Sequence, residues 1–367
     1  MNQPEKNVLP IFKELSTKDR AEKKELLSTP IEQLDLAKPT TIAGLVEAFG
    51  NASIQARNIG TCAKIWEQML TDPDRPTILL AIAGPLVAAG LRKVIRDLIE
   101  YNLVDVVVST GAILYQDYYQ ARGYRHYRGT PDADDGVLRD LYIDRIYDTY
   151  VDEEGFIDTD LHIGRVADTL APGNYSSRQF LELLTRDVDD PNSILVTAAR
   201  HGIPLFAPAI NDSSIGIGLT EHYHRCRTQN RPGVAIDSIQ DNYELTQIVV
   251  QSKCTAAIYI AGGVPKNYVN DSIVMAYIFD RDTGGHRYAF QLTADNPHWG
   301  GLSGSTLSEA TSWGKVSKQA THAMAFSEPS VSLPLVAGTV LEKRLGERRK
   351  RIQFKWEPPF LRGVGHR

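Results

Sequence analysis

The octapeptide Ser308-Glu309-Ala310-Thr311-Ser312-Trp313-Gly314-Lys315 brings together the residue types that handle an amine. Lysine forms imines with carbonyl and imine carbons when its amine is neutral. Burial or crowding in a site favours that neutral form. A tryptophan two residues earlier offers a flat face to a cationic amine. Taken alone, the segment also fits a surface lysine whose stem lies along an aromatic neighbour. Its meaning therefore depends on what the rest of the chain builds around it.

A second constellation lies where apolar runs end. The segments are Gly84-Pro85-Leu86, Ser109-Thr110-Gly111-Ala112, Ala209-Ile210-Asn211-Asp212-Ser213-Ser214, Ala261-Gly262-Gly263 and Leu292-Thr293-Ala294-Asp295. Small residues let a ligand approach the backbone, and helix N-termini favour phosphate. Each segment alone is ordinary turn chemistry. Together they describe a nucleotide-sized crevice. Neither Gly-x-Gly-x-x-Gly nor Gly-Lys-Ser/Thr occurs, so a dinucleotide is expected to be held in a non-standard way.

Other chemistries are weaker. His222 and His224 have the spacing of two metal ligands on a strand, yet fit an exposed loop pair better, and no metal site is expected. Gly-x-Ser-x-Gly is absent, which leaves a hydrolase elbow unsupported. Asp132, Asp134 and Asp135 lie between Pro131 and Gly136 and read as a solvated turn.

The elements that must position these residues alternate. Thr77–Ala83 is a continuous apolar run, as in a parallel strand buried on both faces. Leu91, Val94, Ile95, Leu98 and Ile99 then share one helix face. Further strands are predicted at residues 104–109, 193–197, 204–207, 233–237, 255–261 and 287–292, and helices at 240–252 and 333–344. This alternation predicts an α/β fold: a mostly parallel, doubly wound sheet with helices on both faces. Residues 1–40 read as a partly helical N-terminal arm with a break at Pro39. Residues 41–345 form the main domain. Within it, residues 115–192 are rich in Tyr, Asp and Arg and read as an elaborated insertion. Residues 346–367 read as a basic C-terminal tail.

The chain has 367 residues, 42% of them hydrophobic, and a formal charge of -5, an ordinary globular composition. No apolar run reaches bilayer-spanning length, and no secretory signal is expected at the N-terminus. Cys62, Cys226 and Cys254 lack metal spacing and read as reduced thiols of a cytoplasmic protein. Mild acidity argues against general nucleic-acid binding. The tract Arg348-Arg349-Lys350-Arg351 reads as a solvated tail or subunit contact.

The Ser308–Lys315 segment, the Ala261-Gly262-Gly263-Val264 strand end, Ala207–Asp212 and the run Leu91–Thr110 resemble deoxyhypusine synthase, over roughly residues 40–340. That resemblance implies a large Rossmann-like domain, a homotetramer and NAD sites at dimer interfaces. It implies NAD-dependent aminobutyl transfer: spermidine is oxidised to an imine, a lysine captures the butyl-imine portion, and an acceptor amine takes it over. On that basis Lys315 is expected to form the imine, Trp313 to pack the substrate and Glu309 to supply a pocket carboxylate. Gly84, Thr110, Gly111, Asp212, Gly262, Gly263, Thr293 and Ala294 are expected at the cofactor. Glu328, where the family has an aspartate, is expected near the adenosine ribose.

The departures from the family pattern cluster on the polyamine side. Gln116 replaces a glutamate, Ile217 an aspartate and Asn267 a histidine; Leu302 stands at one of two missing aspartates. Pro85 replaces an asparagine near the cofactor. Burying the charges of a polyamine without partners costs several kcal/mol each. Asn267 and Gln116 are retained as expected substrate-binding positions, and His298, Asp295 and Asp117 are candidates for replacing lost groups. The pattern resembles the divergent, mainly bacterial deoxyhypusine synthase-like branch. The acceptor is expected to be either the lysine of the hypusine-bearing translation factor or a small amine such as putrescine, giving homospermidine. A non-polyamine donor and a non-catalytic scaffold are the remaining readings.

Overall fold

The computed structural model describes residues 15–38 and 41–366. Six strands form the central sheet: β1 (Thr77–Ile82), β2 (Val106–Ser109), β3 (Leu205–Phe206), β4 (Thr255–Ile260), β5 (His286–Thr293) and β6 (Val316–Phe326). Their order is β6-β5-β4-β1-β2-β3, and every pairing is parallel. A helix follows each strand: α1 (Arg92–Glu100), α2 (Gly111–Ala121), α3 (Ser214–Thr228), α4 (Gly263–Ile278), α5 (Leu307–Ser312) and α6 (Pro329–Glu342).

The register explains the apolar runs. Leu79 of β1 stands between Val106 of β2 and Ala257 of β4, so β1 is flanked by strands on both edges. Alternate residues then face opposite layers. Ile78, Leu80 and Ile82 join one core with the helix Ile54–Thr71, α1, α2 and α6. Leu79 and Ala81 join a second core with the helix Ser238–Gln251, α4 and α5. Both faces are covered, so all six residues of β1 are buried and no polar alternation appears. The doubly wound α/β fold expected from the sequence is the one observed.

The chain runs from β1 out to β3, then returns to the other edge of β1 as β4. The strand order therefore reverses between β1 and β4. In open α/β sheets, ligands bind at such a reversal, beyond the strands' carboxyl ends.

Several expectations need correction. Residues 193–197 are not a strand but the start of the helix Ile194–His201. Ser193 caps it, and the buried Asp117 carboxylate accepts from the N–H groups of Ile194 and Leu195. Those capped donors override the strand preference of the β-branched residues. Residues 234–236 do form a strand, but it pairs with Gly173–Tyr175 outside the central sheet. The long edge strand β6 was not expected, because its burial does not alternate. The insertion begins later than expected: Tyr115, Tyr118 and Tyr119 lie in the core on α2, and the elaboration follows Ala121. It contains a three-stranded antiparallel sheet of residues 127–128, 149–152 and 143–146. Asp134 there caps a short helix rather than simply closing a solvated turn.

His222 is not in an exposed loop. It lies on α3 with 1% of its surface exposed. Nε2 accepts from the Val234 N–H at 3.0 Å and Nδ1 faces Asp168 at 2.8 Å. Asp168 also binds Arg225 and Arg231. Asp168, His222 and Cys226 are close enough to share an ion, but both imidazole nitrogens are already engaged in tying α3 to its neighbours.

The C-terminal segment is not a loose tail. Ile352–Glu357 and Phe360–His366 form a hairpin. In the basic tract, Arg349 is buried against Asp105, and Arg351 donates to the carbonyls of Ile99 and Glu100. Half of that tract thus serves internal acceptors. At the other end, Thr17–Leu26 forms a helix with a Ser16–Asp19 capping box and no buried residue. The remainder of the predicted arm, residues 1–14, and the break at Pro39 lie outside the described residues. No described helix is long and apolar enough to cross a membrane.

Candidate active site

The strand ends singled out in the sequence lie at the carboxyl edge of the sheet, on either side of the reversal between β1 and β4. The helices after the two strands that flank β1 start without a side-chain cap, α2 after Thr110 and α4 after Gly262, as does α1 after Leu91. Helices α3, α5 and α6, by contrast, are capped by Ser213, Thr306 and Glu328. Uncapped first-turn N–H groups and the helix dipole together favour an anion. The backbone there is unusual. Ala261 has φ +59 and Gly263 φ +66, while Gly84, after β1, has φ +91. A Cβ on Gly263 would meet nothing within 4 Å, so the space in front of this N-terminus is open. Gly111 and Gly262 have a different reason to be glycine. A Cβ would strike Ser213 at one and Ser303 at the other, so both allow loops to close over the crevice. These features leave the N-termini of α2 and α4 free to receive an anion beside the reversal.

Lys315 is delivered by a helix stop. Helix α5 ends at Trp313, and Gly314 adopts φ +71. Gly314 N–H bonds the Thr311 carbonyl at 3.1 Å and Lys315 N–H bonds the Ala310 carbonyl at 3.1 Å. This is the Schellman pattern, in which glycine takes the left-handed position without a Cβ penalty. The chain reverses there and enters β6 with Lys315 at the corner. Its Nζ lies 3.1 Å from Asp271 Oδ1 and 5.5 Å from the centre of the Trp313 ring. The Lys315 side chain is 16% exposed and that of Asp271 39%. Asp271 Oδ2 in turn accepts from Asn267 Nδ2 at 2.7 Å. Asn267 and Asp271 are four apart on α4, hence on one face of it.

A second lysine sits deeper. Lys266 is 1% exposed. Its Nζ donates to Gln291 Oε1 at 2.9 Å and to the Ser305 carbonyl at 2.6 Å. Gln291 Nε2 donates to the carbonyls of Ala261 and Ser303. This node holds residues 303–305 down over Gly262. Burial pulls the Lys266 amine down to about 8, aided by the Lys315 charge; Glu309 and Asp295 act in the opposite direction.

The profile of the deoxyhypusine synthase family matches residues 44–340 of the chain. The chain belongs to the deoxyhypusine synthase family. A Methanosarcina mazei protein named "Probable deoxyhypusine synthase 2" is 40% identical over 338 residues, covering 90% of this chain and 95% of its own. A "Deoxyhypusine synthase-like protein" of Chlorobaculum parvum is 40% identical, covering 91% and 95%. Another of that name, from Elusimicrobium minutum, is 39% identical, covering 92% and 89%. A crystal structure under the deoxyhypusine synthase name, from Entamoeba histolytica, superposes with a TM-score of 0.58. It is 20% identical and covers 85% of this chain and 97% of its own, a likeness of fold.

Within this member of the deoxyhypusine synthase family, the expected residues divide into groups. Gly84, Thr110, Gly111, Gly262, Gly263 and Ala294 stand one to three residues beyond strand ends, Thr293 closes β5, and Asp212 lies in the turn between β3 and α3. Lys315, Trp313 and Asn267 come together around Asp271, with Glu309 one helical turn before Trp313 on α5. Three expectations meet competing engagements. Gln116 is buried and its Oε1 accepts from the Ala88 N–H at 3.1 Å, fixing the connection after β1. Glu328 caps α6 through Ser330. Asp117, a candidate replacement acid, is tied up by Arg92, Ser193 and the following helix. Sequence reasoning missed Asp271 and Lys266. The available signal was the i,i+4 spacing of Asn267 and Asp271 on a helix opening at Gly263.

Proposed function

We propose that the protein is an NAD-dependent aminoalkyl transferase that carries the transferred group as an imine on Lys315, with spermidine or a related amine as donor. The observation that carries this reading is the Schellman corner. It presents Lys315 beside a carboxylate and an indole face, against the helix α4, whose N-terminus has no side-chain cap. A scaffold has no use for that combination.

Thr110, Gly111, Gly262 and Gly263 would hold the dinucleotide, which when bound supplies the two-electron oxidant. The chain's own residues do the rest. Trp313 stacks on cationic amine and alkyl portions. The Lys266–Gln291 node keeps residues 303–305 over the crevice and restricts water access. Lys315 attacks the oxidised carbon and retains the aminoalkyl group until an acceptor amine displaces it.

A small-amine acceptor, as in homospermidine formation, is the second reading. It is favoured by the engagement of Gln116 and Asn267 with internal partners, which alters the grip on a long polyamine. The lysine of the hypusine-bearing translation factor is the other acceptor. Assembly as a homotetramer, with sites shared between subunits, belongs to the same proposal. Incubation with NAD, spermidine and putrescine, followed by borohydride and peptide mass spectrometry, tests the core claim. The wild type should show an adduct on Lys315, and Lys315→Ala should lose both adduct and product. Unchanged turnover in that variant would rule out the imine.

A further inference from the structure

The amine exchange needs a proton carrier. Lys315 must give up a proton before or during attack, and the departing amine must gain one. Three carboxylates lie in the neighbourhood. Glu309 and Asp295 act on Lys266. Among the described residues, Asp271 is the carboxylate in direct contact with the Lys315 amine, at 3.1 Å. Its two oxygens have separate partners: Oδ1 faces Lys315, and Oδ2 accepts from the Asn267 amide at 2.7 Å. The helix geometry of α4 fixes the second contact, so the first oxygen is aimed. Nucleophile, base and orienting group thus follow one another in hydrogen-bond reach, the arrangement that marks an activated nucleophile. The Asp271 side chain is the more exposed partner, 39% against 16% for Lys315, so an incoming amine reaches it without displacing the core.

We propose that Asp271 is the general acid–base of the exchange at Lys315, with Asn267 as its positioning residue. This rests on the imine reading of Lys315 and assigns its proton traffic. In the exchange, the neutral Lys315 amine adds to the carbon of the donor's iminium, forming a C–N bond. Asp271 takes one proton from the Lys315 nitrogen and delivers it to the donor nitrogen. The bond from carbon to that nitrogen breaks, and its electron pair leaves with the departing amine. Lys315 is left as the protonated imine, and charge and protons balance. The acceptor step repeats the sequence in reverse order, with Asp271 protonating Lys315 as it departs. Asn267 thus has a task other than gripping substrate.

The test uses the full chain with NAD, spermidine as donor and putrescine as acceptor, comparing wild type, Asp271→Ala, Asp271→Asn, Asn267→Ala and Lys315→Ala. Loss of a general acid–base lowers turnover by about 10²–10⁴-fold. Asp271→Ala and Asp271→Asn should lose kcat in that range with little change in KM. Added formate should restore part of the rate to Asp271→Ala, where it fits the vacated space, and none to Lys315→Ala. Asn267→Ala should lose less and gain nothing from formate. Wild-type kcat in Asp271→Ala, a defect confined to KM, or a defect that formate leaves untouched would each overturn the proposal. If wild type forms the Lys315 adduct while the Asp271 variants match it, only the acid–base role fails. If Lys315→Ala retains turnover, or wild type forms no adduct, the imine reading fails and takes the acid–base role with it.

Discussion

Two lysines with opposite surroundings occupy one site. Lys315 meets a carboxylate and an aromatic face near the surface; Lys266 is enclosed and donates to a carbonyl and an amide oxygen. The Lys266 amine is shifted from 10.5 down to about 8, caused first by burial. The unfolded chain therefore binds more protons at this position than the folded one between those two values. Stability conferred by this residue then rises with pH across that window. Relative to Lys266→Met, the wild type should gain up to about 2 kcal/mol between about pH 8 and about pH 10, by the usual conversion of pKa into free energy. Urea unfolding midpoints at several pH values measure it. A flat difference would contradict the stated burial effect.

Elements decide where the residues point. Trp-Gly-Lys is only a tripeptide until the corner between α5 and β6 makes it a device. Gly314 holds φ +71, and a Cβ there would meet nothing within 4 Å, so Gly314→Ala meets backbone strain alone. Left-handed conformation costs an L-residue roughly 1–2 kcal/mol. Stability should fall by about that much in thermal or urea unfolding. Turnover should fall further, about 10²-fold, because small displacements of a reacting group are amplified in rate. A variant with full activity would show that the corner does not set the lysine's position. The strands around the crevice were largely legible, because buried parallel strands leave continuous apolar runs such as Thr77–Ile82. The helix at Ile194–His201 was not, because beside its local Ser193 cap the first-turn N–H groups are held by Asp117, 77 residues away in sequence from Ile194. The exposed edge strand β6 left no periodic signal.

Across the protein, several segments that follow the central strands expose large apolar side chains. Ile217 at the start of α3 is 57% exposed, Val264 at the start of α4 42%, and Trp299 between β5 and α5 81%. Where exposed apolar side chains are contiguous they mark interaction sites. If the protein assembles with sites shared between subunits, these residues are covered by a second copy. Trp299→Glu should then shift the protein to a smaller species in sedimentation velocity and weaken NAD binding in parallel. An unchanged sedimentation coefficient would remove these side chains from the interface. The order of residues was enough to establish the α/β class, the buried strands at the centre of the sheet, the family and the Trp-Gly-Lys motif, because apolar runs and short motifs are local properties of a chain. The partners of the reactive groups came from packing. Asp271 meets Lys315, Lys266 meets Ser305 and Gln116 meets Ala88 across separations that no local pattern encodes. Which carboxylate faces the Lys315 amine is fixed only when α4 and α5 pack on the same face of the sheet.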